Sequence, residues 1–172
     1  MEISAYPDHR GEHCAKECVT FQTTGRNMRF RKYHALGNDY TVIDPGLSRF
    51  TPEPSEIKKL CDRHTGIGSD GILFGPLFHG RIMGVRIFNP DGSEAEKSGN
   101  GVRIFARYCA DMRYIEKNPF SLRTLGGDVR VRFLKGKEQM VCVDMGKATF
   151  QSNDIPVSGK AREVVDETVR VD

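Results

Sequence analysis

A chain of 172 residues that is 38% hydrophobic and 28% charged is long enough for one compact domain with a buried core, and it lies well outside the low-hydrophobicity, high-charge regime of disordered chains. Its 26 basic and 23 acidic residues are spread along the sequence and leave a formal charge of only +3, which excludes the basic footprint of a nucleic-acid binder. No apolar run approaches the roughly 20 residues of a bilayer span, and the N-terminus lacks the basic start and apolar stretch of a signal peptide. The chain therefore reads as cytoplasmic, with no membrane partner.

Residues 1–27 mix polar, charged and small side chains without a period, and are set aside as a disordered or artefactual extension, with Met28 a candidate start. From Met28, the alternation of Phe30, Lys32 and His34 against Arg29, Arg31 and Tyr33 predicts a strand. It breaks at Ala35-Leu36-Gly37-Asn38-Asp39, with Gly37-Asn38-Asp39 at the kink, and resumes at Tyr40-Thr41-Val42-Ile43. Pro52, Pro54 and Ser55 introduce a helix whose Ile57, Leu60, Cys61 and His64 recur at helical spacing, ending towards Gly66. The glycine-rich loop Gly66-Ile67-Gly68-Ser69-Asp70-Gly71 leads into the apolar run Ile72-Leu73-Phe74, and 82–89 carries another strand before the turn Pro90-Asp91-Gly92-Ser93.

A second helix follows Ser98-Gly99-Asn100-Gly101. Val102, Phe105, Ala106 and Cys109 share one face with Ile104 and Tyr108 beside them, so more than half its circumference is apolar and it belongs at the centre of the core. Three short strands, 120–124, 129–134 and 140–145, come next, the last two as a hairpin. Strands wrapped around one buried helix give an α+β domain over 28–150, mostly antiparallel. Residues 151–172 read as a polar tail or a linker to an absent C-terminal domain.

Five cysteines, Cys14, Cys18, Cys61, Cys109 and Cys142, are an odd set that reads as reduced thiols. Cys14 and Cys18 follow His13, but no second Cys/His pair stands at ligand spacing, so no metal is expected. Cys61 and Cys142 sit in core-type patterns, and Cys109 lies on the inward helix face about three turns from Ser98.

The stretch with chemistry is 89–101, which brings a tight turn, a hydroxyl and two glycines to the start of the buried helix. Backbone N–H groups are free at such a start, the helix dipole favours an anion there, and glycine permits close approach, so an amino-acid carboxylate is a suitable guest. Ser98 also reads as a simple N-cap, Asn38 as a turn residue and Asn89 as the end of a strand.

Lys32-Tyr33-His34-Ala35-Leu36-Gly37-Asn38-Asp39-Tyr40, Cys61-Asp62-Arg63-His64-Thr65-Gly66-Ile67-Gly68-Ser69-Asp70-Gly71, Arg86-Ile87-Phe88-Asn89-Pro90-Asp91-Gly92-Ser93-Glu94 and Ser98-Gly99-Asn100-Gly101-Val102-Arg103 together resemble the diaminopimelate epimerases in order and spacing. The resemblance runs from about Met28 to Met145, corresponding to the first of the two similar domains such enzymes carry. It implies a cofactor-independent, metal-independent isomerase of lysine and peptidoglycan biosynthesis that interconverts LL- and meso-diaminopimelate. Two cysteines on opposite faces of the α-carbon would exchange its proton, one from each domain.

Carried onto this chain, the resemblance makes Ser98 the catalytic position, Asn38 and Asn89 substrate contacts, and Gly99 with Asn100 the backbone pair for the α-carboxylate. It implies an amino-acid substrate and, as partner, a second epimerase domain or a homo-oligomer. Ser98 stands where the family has its first reactive cysteine, and Gly71 where many members have a glutamine that reaches the substrate. A non-catalytic amino-acid-binding pseudo-enzyme, or a broader racemase or dehydratase-like serine variant, is the alternative.

Overall fold

In a computed structural model, which describes residues 17–23 and 26–168, the strand-forming stretches assemble into one mixed nine-stranded sheet. The strands are β1 (Glu17–Thr23), β2 (Arg26–Ala35), β3 (Asn38–Ile43), β4 (Ile72–His79), β5 (Ile82–Phe88), β6 (Glu94–Ala95), β7 (Phe120–Thr124), β8 (Gly127–Leu134) and β9 (Lys137–Asp144). In space they run β1-β2-β3-β4-β5-β7-β8-β9, with the short β6 paired to β5. Only β3–β4 and β5–β7 are parallel among these pairs; the rest are antiparallel.

The period-two pattern gives each face of this sheet its own core. Tyr40, Val42, Leu73 and Ile87 point to one face, where they meet Val102, Ile104, Phe105, Tyr108 and Cys109 of helix α2 (Gly99–Asp111). The alternate residues Ile43, Ile72, Phe74 and Phe88 point to the other, where Ile57, Leu60 and Cys61 of helix α1 (Pro54–Cys61) cover them. Helix α2 packs on β2, β3 and β4 and also on β9, which lies near the other end of the strand order. The sheet therefore curls around α2, the expected α+β arrangement of mostly antiparallel strands about a central buried helix.

Several boundaries differ from the sequence reading. Leu36 and Gly37, both with positive φ (55° and 83°), form a two-residue hairpin turn, and Ala35 pairs directly with Asn38. The break thus falls before Asn38, which opens β3. Helix α1 stops at Cys61 because Asp62 turns its carboxylate onto the backbone N–H groups of His64 and Thr65 and the Thr65 hydroxyl, which leaves His64 exposed outside the helix. Cys142 faces outward, since Val141 and Val143 take the inward positions of β9; the core reading of this thiol is corrected, whereas Cys61 and Cys109 are buried.

At the N-terminal side β2 opens at Arg26, and β1 pairs with it antiparallel from Glu17 to Thr23; residues 1–16, with His13 and Cys14, lie outside the described residues. At the other end the polar stretch folds back on itself. Gln151 bridges to Glu163, Val164 N–H donates to Phe150 O, and Ser152, which is buried, accepts from Arg162 N–H.

Candidate functional site

The register of the sheet collects the sequence-predicted positions at one end. Thr41 lies opposite Ile72, and Ile72 opposite Phe88, so Asn38–Tyr40, Asp70–Gly71 and Asn89 share the same end of three adjacent strands. The alternation of side chains puts Asn38 on the α2 face with Tyr40 and Val42, and Asn89 on that face with Ile87. The chain then turns at 89–93, crosses β6 and enters α2 at Ser98. Asn38, Asn89, Ser98, Gly99 and Asn100 are all half-buried.

Ser98 is the N-cap of α2, with extended backbone (φ −142°, ψ 118°) and Oγ accepting the Gly101 N–H at 3.0 Å, while its carbonyl accepts from Val102 N–H. The N-cap reading of Ser98 therefore holds. Capping uses two of the helix's first N–H groups and leaves those of Gly99 and Asn100 without a partner among the described residues. The Asn100 carboxamide is turned aside, its Oδ1 accepting from Arg103 Nη1 at 2.9 Å. The other neighbour of Ser98 Oγ is the hydroxyl of Tyr40, 3.2 Å away.

The asparagines are held differently. Asn38 Nδ2 donates to Asp70 Oδ2 at 3.4 Å, and the adjacent Asp39 N–H donates to the same oxygen at 3.0 Å. Asn89 organises the turn: its N–H donates to Ser93 O, its Nδ2 to Ser93 Oγ at 3.0 Å, and Gly92 N–H donates back to Asn89 O. Asn89 lies directly after β5, which ends at Phe88, and opens the turn.

A cluster of charges fastens this end of β3. Asp39 is bound by Arg63 at 2.6 Å and Lys32 at 2.9 Å, and Arg63 also reaches Asp70 at 2.7 Å. Burial works to raise the Asp39 carboxyl, but the hydrogen bonds from Arg63 and Lys32 outweigh it and hold the group well below the usual carboxylate range. Lys32 donates as well to Gly68 O, so the glycine-rich loop is tied to β2 and β3. Asp70, in the glycine-rich loop, is thus the acceptor that orients Asn38 and Asp39. Sequence reasoning missed Asp39, Arg63 and Tyr40: the charges converge from three separated segments, and Tyr40 beside Val42 carries only a core signal.

Gly71 faces a tight space. A Cβ there would sit 2.4 Å from Phe88 O and 2.6 Å from Tyr40 Cε1, so the glycine makes room for the tyrosine ring. Burial raises the thiols of Cys61 and Cys109 above their ordinary value, and Cys109 lies in the α2 core, so neither is an activated thiolate at the helix start. Among the described residues no group of three or more His, Cys, Asp and Glu side chains is placed to hold a metal, and no helix is long and apolar enough to cross a membrane.

Residues 30–151 match the family model described as diaminopimelate epimerase. Curated relatives include "Diaminopimelate epimerase 2" of Nostoc sp. strain PCC 7120, 54% identical over 146 residues, which covers 84% of this chain and 51% of that protein. "Diaminopimelate epimerase" of Caldanaerobacter subterraneus subsp. tengcongensis is 42% identical over 150 residues, covering 84% of this chain and 53% of the relative. The chain spans about half the length of these relatives. A probable proline racemase from Agrobacterium radiobacter has a similar fold, with a TM-score of 0.55 at 13% identity, over 76% of this chain and 45% of that one.

Proposed function

The chain belongs to the diaminopimelate epimerase family, and on that premise we propose that it is the N-terminal half of a cytoplasmic amino-acid epimerase converting LL- to meso-diaminopimelate without a cofactor. The observation that carries the reading is the start of α2: two N–H groups, on Gly99 and Asn100, unclaimed among the described residues, beside the Ser98 hydroxyl and on the sheet face that Asn38 and Asn89 share. The α-carboxylate takes the two N–H groups and the positive end of the helix dipole. Asn38 and Asn89 contact the rest of the substrate, which leaves Ser98 at the α-carbon. Backbone donors aimed at the carboxylate stabilise the charge that develops when the α-proton leaves, the task a cofactor would otherwise perform.

Ser98 supplies only one side of the exchange. A thiol has a reference pKa near 8.5 and an unactivated hydroxyl lies closer to water's roughly 15.7, so using it as a base costs about 10 kcal/mol at about 1.36 kcal/mol per unit. It can only pass on a proton that solvent replaces as it is given, since otherwise the same alkoxide is left, and the base comes from a second epimerase domain or partner that closes on the ligand.

Incubation with LL-diaminopimelate in heavy water, with and without the matching C-terminal half, tests the reading. Deuterium at the α-carbon is expected when both halves are present. Binding by calorimetry without exchange would identify a non-catalytic amino-acid-binding domain, and absence of both would overturn the assignment.

A further inference from the structure

We infer that Tyr40 is a positioning residue that donates its hydroxyl proton to Ser98 Oγ and thereby turns the Ser98 proton towards the ligand. A serine oxygen has one proton and two lone pairs. One lone pair of Ser98 Oγ is occupied by the Gly101 N–H at 3.0 Å, and the Tyr40 hydroxyl stands 3.2 Å from the same atom. Phenols are more acidic than aliphatic hydroxyls, hence the better donors and poorer acceptors of such a pair. With Tyr40 donating, both lone pairs of Ser98 are filled and its single O–H is left for the half-exposed space before α2, where the Gly99 and Asn100 N–H groups also face.

The arrangement is held from behind. Tyr40 is 6% exposed and packed in the α2-side core, and its ring occupies the space that a side chain at Gly71 would need. Gly71 thus exchanges a substituent of its own for a tyrosine that reaches residue 98. Three donors then converge from one helix start: two backbone N–H groups and one hydroxyl, with no acceptor among them. That the donated proton faces an α-carbon rests on the epimerase reading above; the direction of the Tyr40 bond does not.

Converting position 98 to a titratable group makes the bond measurable without any substrate. In the full chain, Ser98→Cys and Ser98→Cys/Tyr40→Phe are alkylated with iodoacetamide from neutral to alkaline pH, and labelling is followed by mass spectrometry on the peptide carrying residue 98. A phenol donating to position 98 favours the thiolate, so its removal is expected to raise the alkylation midpoint by about one unit, roughly tenfold slower labelling at neutral pH. Ser98→Cys/Gly71→Ala, which crowds the ring rather than removing its hydroxyl, is expected to shift the midpoint the same way. Equal midpoints in all three proteins, or a lower one without the phenol, would overturn the assignment. A purely structural role would alter thermal unfolding and leave the midpoint in place, and neither outcome depends on whether the isotope exchange succeeds.

Discussion

The two ends of α2 use tyrosine hydroxyls in opposite ways. At the C-terminal end Asp44, only 4% exposed, accepts from Tyr108 at 2.7 Å, from Tyr114 at 2.8 Å and from Gly46 N–H at 2.7 Å. Burial and the nearby Asp44 carboxylate push the Tyr108 hydroxyl far up, and that of Tyr114 up to about 12, so both remain donors throughout the physiological range. Beside them Tyr33 donates to Asp111, which also pairs with Arg107. This end is closed. At the N-terminal end a half-buried serine is held by one N–H and one tyrosine at 3.2 Å, and two backbone donors go unclaimed among the described residues. The helix is anchored at the end where carboxylates hold the tyrosine hydroxyls, and its other end is the more open.

Breaking the closed end has the largest expected effect. Asp44→Ala strands two tyrosine hydroxyls and a backbone N–H, and is expected to lower unfolding stability by about 3 kcal/mol in urea denaturation. At the open end Gly71→Ala forces the Tyr40 ring or Phe88 O to move, a crowding of the kind that costs roughly 2 kcal/mol, and it should disturb residue 98 without touching the Asp44 network. Ser98→Ala removes only a helix cap, about 1 kcal/mol in the same assay. A loss as large as that of Asp44→Ala would mean that the open end is structural after all.

The smallest effect is a slope. Asp39 is held below its ordinary value, so its contribution to stability is complete above the unfolded carboxylate value of about 3.9 and is lost as pH falls from there towards the folded one. Arg63→Gln returns Asp39 part of the way to its ordinary value. Urea midpoints measured between neutral and acid pH should therefore fall less steeply in the variant than in the unaltered chain. An unchanged slope would show that Lys32 alone holds Asp39.

Much of the fold was legible because its signals are local. The alternation in β2 and β3, the helical recurrence of Val102, Phe105, Ala106 and Cys109, and the turn at 90–93 each state a period or a backbone requirement within a few residues. The errors lie where a local pattern is ambiguous. His64 continues the spacing of α1, but the Asp62 side chain competes for the backbone and ends the helix first. Cys142 alternates with two valines, and the sequence does not say which phase of a strand faces inward.

For the site, residues alone determined which groups were at hand: a capping serine and glycines at a helix start, and a motif series specific enough to name a family. The tertiary structure decided what each residue does there. Asn38 is aimed by Asp70 rather than by a turn, Asp70 is engaged by Arg63, and Ser98 is paired with a tyrosine 58 positions away in the chain. Those pairings depend on strand register and on which face a side chain takes, quantities set by the packing of the whole sheet around α2 and by no single stretch of sequence.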